Sequence, residues 1–122
     1  MKAIVKNIDL GSHVGFDEYC PEEEECFGLW ITVHVGPDDE EGAHLYQILV
    51  CTPDWITKKY RHEHRHTGAV WGRHMLIVFR YDPDHIRREI ERYVEGCTGK
   101  DFWEVAQKVA RIGAWEFEDY TN

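Results

Sequence analysis

Between Asn7 and Thr57 this chain of 122 residues contains no lysine and no arginine. It is poor in other things too. Ser12 is its one serine, so no serine sits at a nucleophile elbow. No glycine-rich loop precedes a helical pattern, which removes a phosphate cradle. Cys20, Cys26, Cys51 and Cys97 form no C-x-x-C pair and show no zinc-ribbon spacing. Cys51 ends an apolar run, as a free buried thiol does. Cys20 and Cys26 flank Glu22 to Glu25, where the adjacent carboxylates argue against a thiolate metal site. Four cysteines coexist with eight histidines, but no local sequence singles out a nucleophile pair. The N-terminal apolar run Ala3-Ile4-Val5 stops at Lys6 and Asn7, short of a signal peptide, and no apolar stretch reaches membrane-spanning length. The expected location is the cytoplasm.

What is present is a globular composition. Hydrophobic residues make up 43% and aromatics 13%, with five Trp and six Tyr. A chain of this length buries roughly two-thirds of its unfolded surface and needs no metal or disulfide to hold a core. One domain over residues 1–122, with no cofactor, is the expectation. The net charge of −9 is unevenly spread. Residues 1–57 hold twelve acids and two bases, whereas residues 58–122 hold eleven acids and twelve bases. Runs of acids commonly serve solubility. Fifty-one positions without a base, however, leave a broad negative field in any compact fold. Such a field repels nucleic acid and anionic membranes and attracts a cationic partner. In the second half, bases and acids are interspersed, so no nucleic-acid footprint appears.

The apolar spacing predicts an α+β fold. Residues 2–10 read as a first strand and 11–26 as a loop. Gly28 to Val35 alternates Leu29, Ile31, Val33 and Val35 against Trp30, Thr32 and His34, the period of a half-buried strand. Residues 36–42 form a turn without the Asp/Asn spacing of a calcium loop, and His44 to Cys51 completes a hairpin. Thr52-Pro53-Asp54 is a helix start, giving a short helix to about Arg61. His74 to Tyr81 is a nearly continuous apolar run, read as a central strand covered on both faces. Asp82-Pro83-Asp84 opens a helix with Ile86, Ile90, Tyr93 and Val94 on one face, stopping at Gly96. Asp101-x-x-Glu104 is a capping box for another, with Phe102, Val105, Ala106, Val109 and Ile112 inward. Trp115 to Tyr120 alternates again, as a last strand or a tail laid on the core. The expected order is β-β-β-α-β-α-α-β, a mainly antiparallel sheet with helices packed on one side.

His62-Glu63-His64-Arg65-His66 formally satisfies H-E-x-x-H. On a helix, His62 and His66 would chelate zinc and Glu63 would act as base, making a small zinc hydrolase the alternative function. Gly68 follows within two residues, and Lys58, Lys59, Arg61 and Arg65 crowd the segment with positive charge, so the expectation is no metal site.

Gly72 to Val78, Arg80-Tyr81-Asp82, Phe102-Trp103 and the closing Trp115-Glu116-Phe117-Glu118-Asp119-Tyr120 resemble the immunity protein 8 family of bacterial polymorphic-toxin and contact-dependent inhibition systems. Phe27 to Pro37 and Leu45 to Trp55 resemble it as well. The resemblance implies a protein that is not an enzyme. It would bind the toxic C-terminal domain of a cognate effector and block its active site or substrate path. Many such effectors are nucleases, whose basic substrate surfaces an acidic inhibitor complements. On that reading Glu22, Glu23, Glu24 and Glu25, or Asp38, Asp39, Glu40 and Glu41, face the toxin, with Tyr19, Phe27 or Tyr46 as aromatic anchors. An acidic nucleic-acid mimic aimed at a DNA-binding protein has the same electrostatics and a different partner.

Overall fold

Alternation of apolar and polar residues makes the first half an antiparallel meander. Strand β1 (Ala3–Asp9) pairs with β2 (Gly28–Pro37), and β2 pairs with β3 (His44–Cys51). The computed structural model describes residues 2–63 and 68–118, with the side chains of residues 62 and 63 outside that description. The β2–β3 register sets Ile31 opposite Ile48 and Val33 opposite Tyr46, and all four are buried on one face of the sheet. A bulge between Val5 and Asn7 restores the phase so that Ile8 meets Val33 on that same face.

Helix α1 (Pro53–Glu63) starts as its sequence predicts. Buried Thr52 caps it: Oγ1 accepts from the Trp55 amide at 3.4 Å and also from the Phe27 amide at 3.2 Å, tying the helix start to the head of β2. Asp82 caps α2 (Pro83–Glu95) through the amides of Asp84 and His85, and Asp101 caps α3 (Phe102–Val109) through that of Glu104. Ile86, Ile90 and Val94 from α2 and Val105, Ala106 and Val109 from α3 are buried in one cluster with the inner face of the sheet. The ring of Trp55, from α1, lies over Gly28, whose absent side chain falls in the opposite phase of β2 to the core residues.

The run His74 to Tyr81 corrects one expectation. It is not a central strand covered on both faces. Strand β4 (Met75–Ile77) is three residues long, runs parallel to β3 and ends the strand order β1-β2-β3-β4. Leu76 and Val78 face inward, while Ile77 and Phe79 are 50% and 77% exposed. After the Val78 amide bonds to the Cys51 carbonyl the chain bends away, and the Tyr81 amide reaches the carbonyl of Glu24 at 2.8 Å. The other part of the same β3 edge is taken by β5 (Ala114–Trp115), antiparallel, with Trp115 opposite Tyr46. The sheet is therefore mixed, with antiparallel pairs predominating.

Candidate interaction surface

The loop before β2 has few apolar residues, yet it is fastened down. Phe16 is buried, its carbonyl accepts from the Tyr81 hydroxyl at 3.2 Å, and Arg87 of α2 holds both carboxylate oxygens of Asp17 at 3.0 and 3.1 Å. At its far end Arg80 Nε donates to Glu24 at 2.8 Å. Glu22, Glu23, Glu24 and Glu25 are all exposed on this fixed support. Glu23, Glu24 and Glu25 line a shallow hollow of about 560 Å³ together with Cys26, Asp54 and Arg80. Among the described residues Glu22, Glu23 and Glu25 have no ion-pair partner, whereas Asp9 is engaged by His34 Nε2 at 2.5 Å. That hydrogen bond from His34 holds the Asp9 carboxyl below the usual carboxylate range.

The second acid group, Asp38, Asp39, Glu40 and Glu41, is exposed in the turn after Pro37. Lys6 Nζ donates to the Glu40 carbonyl, which ties the turn to β1 and leaves the carboxylates outward. The two groups stand at opposite ends of the ten-residue β2. That puts them roughly 30 Å apart. They are two surfaces, not one.

The aromatic anchors expected beside these acids are corrected by burial. Tyr46 is 0% exposed and its hydroxyl donates to the Ala106 carbonyl at 2.9 Å. Phe27 is 4% exposed and packs edge-on against Tyr81, centroids 5.1 Å apart. Both point into the core because their strand phase is that of Ile31 and Ile48. Tyr19 is half-buried, edge-on to Tyr81 at 5.7 Å. The exposed aromatics among the described residues are others: Trp30 at 57%, Trp71 at 94%, Phe79 at 77% and Trp103 at 47%. Trp30 was legible as the outward phase of β2. Phe79 was not, because an apolar run does not say which of its faces is covered.

Nucleophilic chemistry finds little support. Burial pushes the thiols of Cys51 and Cys97 upward, and the opposing pull of Arg111 and Lys108 on Cys97 is the weaker influence. A cavity of about 990 Å³ between β4 and the ends of α2 and α3 carries Arg73, Arg92, Lys108 and Arg111 at its rim. Arg92 and Lys108 belong to the last turns of their helices, where cations offset the exposed carbonyls, and Lys108 donates to the Thr98 carbonyl. Among the described residues no group of three or more His, Cys, Asp or Glu could hold a metal ion. The H-E-x-x-H segment is outside that statement: His64 to Thr67 and the side chains of His62 and Glu63 lie beyond the described residues.

These features define a small α+β protein with two acid groups displayed at opposite ends of one strand. The family model described as Immunity protein 8 matches residues 3–120. The chain belongs to the immunity protein 8 family. No curated protein and no solved structure matches it.

Proposed function

We propose that this immunity protein neutralises its cognate bacterial toxin domain by binding it through an acidic surface, as one cytoplasmic domain that catalyses no reaction. The toxin would be a nuclease, because a nuclease presents a basic substrate groove to which an acidic inhibitor is complementary. The observation that carries the reading is the fastened display of acids, most of them with no base at the carboxylate. Seven of the eight carboxylates in Glu22–Glu25 and Asp38–Glu41 have no ion-pair partner among the described residues, so no internal cation accounts for them. Ordering cost is small because the loops are already held by Arg87, Arg80, Tyr81 and Lys6.

Long-range attraction of this kind raises the association rate and is screened by salt, the Debye length falling from about 10 Å at 0.1 M to about 3 Å at 1 M. With the cognate toxin domain, the wild-type association rate should fall steeply over that range. Replacing Glu22 to Glu25 by Gln, or Asp38 to Glu41 by Asn and Gln, should slow association and flatten the salt dependence without changing the fold. A wild-type rate indifferent to salt would reduce both acid groups to solubility devices.

A further inference from the structure

The cavity of about 990 Å³ lies at the edge where β4, three residues long, ends the strand order. Its floor is apolar: Ile48 from β3, Leu76 from β4, Ile90 and Tyr93 from α2, and Ile112 after α3. Its rim is cationic: Arg73, Arg92, Lys108 and Arg111 face a single lining acid, Glu89. Neither acid group contributes a residue to it. A concave, apolar space of roughly 300–1,000 Å³ with a few convergent polar groups is the usual form of a small-ligand site.

The helix ends do not use up this charge. The carbonyls of Arg92, Tyr93, Val94, Lys108 and Val109 already accept backbone amides, and Lys108 Nζ donates to the Thr98 carbonyl. The pairs Arg92–Glu89 at 3.1 Å, Lys108–Glu104 at 4.0 Å and Arg73–Glu118 are all solvent-accessible. Pairs of that kind contribute little and exchange readily. Arg111 has no ion pair or side-chain hydrogen bond among the described residues. Its guanidinium and the Lys108 ammonium both act on the thiol of Cys97, which lines the same cavity, so the two charges converge there.

The mouth is held in a costly shape. His74, which lines it, has a φ of 60°, the left-handed region uncommon for a residue other than glycine. Its carbonyl accepts from the Leu49 amide at 3.0 Å, and its Nε2 donates to the Ala110 carbonyl at 3.2 Å. The head of β4 is thereby fixed to the end of α3. A site formed in advance lowers the ordering cost of binding.

We propose that this cavity binds a small organic anion, with an apolar or aromatic body on Ile48, Leu76, Ile90 and Ile112 and a carboxylate or phosphate between Lys108 and Arg111. The inference stands apart from the toxin-neutralising reading, which concerns the acid groups.

Amide NMR titration of the full chain tests it. Phenyl phosphate and phenylbutyrate are the probes, with inorganic phosphate as the charge-only control and benzyl alcohol as the ring-only control. Both probes should saturate with a Kd of about 1 mM or tighter, as ligands of this size can. Each control should bind at least about tenfold more weakly, because it meets only the rim or only the floor. Shifts should centre on residues 72–76, 93–98 and 108–112 and leave 22–25 and 38–41 unmoved. Arg111→Gln should weaken both probes roughly tenfold, as loss of a charge-assisted contact does, while Arg111→Lys should keep most of the affinity. Unmoved wild-type amides, shifts centred elsewhere, benzyl alcohol binding as tightly as the probes, or full affinity in Arg111→Gln would each overturn the site and leave toxin neutralisation untouched. Saturable binding only in a chain carrying Asp119→Asn and Tyr120→Ser would assign the cavity to those residues and overturn it likewise.

Discussion

Trp115 gathers the aromatic packing at the start of β3 around itself. Its ring lies nearly parallel to those of Tyr46 and His44, at 6.3 and 5.8 Å, meets Trp103 at 5.0 Å, and donates from Nε1 to His44 Nδ1 at 3.1 Å. At 8% exposure its removal opens a cavity against the core. Trp115→Ala should therefore cost about 3–5 kcal/mol and lower the melting temperature by roughly 10 °C or more. Glu116→Gln should change little, because Gln keeps an oxygen to accept from the Leu45 amide, as Glu116 Oε1 does at 3.1 Å. Calorimetric melting of both variants decides this, and an unaltered Trp115→Ala protein would remove the residue from the core. His44 adds a pH dependence. Burial keeps its imidazole neutral below the usual histidine range, against the weaker pull of Glu116. The unfolded chain then binds the proton first, so the contribution to stability is full above about pH 6.5 and declines as the pH falls below it. The difference in unfolding free energy between wild type and His44→Gln should shrink steadily from pH 7 to pH 5. A constant difference would show that His44 does not titrate in this way.

At the level of elements, α1 comes into close contact with β2. A Cβ placed on Gly28 would lie 2.2 Å from the Trp55 ring, so glycine is required there by proximity. Gly28→Ala should destabilise by about 1–3 kcal/mol, and a second change, Trp55→Leu, should recover part of the loss. Additive effects of the two changes in denaturant melts would contradict the contact. The same level shows what was legible in the residues. The β2–β3 hairpin, the Thr52, Asp82 and Asp101 caps and the Ile86, Ile90, Val94 face follow from short-range chemistry, and they stand at the expected positions. Strand β4 did not follow, because its length and its place at the end of the strand order depend on Cys51, Glu24 and β5, all far away in sequence. Tyr46 failed as an anchor for a related reason. A tyrosine reads as a surface group until a buried acceptor, here the Ala106 carbonyl, is known to be within reach.

For the whole molecule the asymmetry of charge was the most legible property, and the fold sorts it. Acids close to a base become struts: Asp17 with Arg87 and Glu24 with Arg80 hold the loop to the body. Seven of the eight acids in Glu22–Glu25 and Asp38–Glu41 have no ion-pair partner among the described residues, and the two groups are separated by the length of β2. The pairing itself was not readable, since linear sequence does not place Arg80 beside Glu24. The central claim, inhibition of a toxin domain by occupation, has a direct measurement. A fixed amount of the cognate toxin domain is titrated with the protein, and residual toxin activity is read after equilibration. Activity should fall linearly and vanish at one equivalent, at the same endpoint after one minute and after one hour. Full inactivation well below one equivalent, progressing with time, would instead mark a catalyst, and undiminished toxin activity at excess protein would contradict neutralisation altogether.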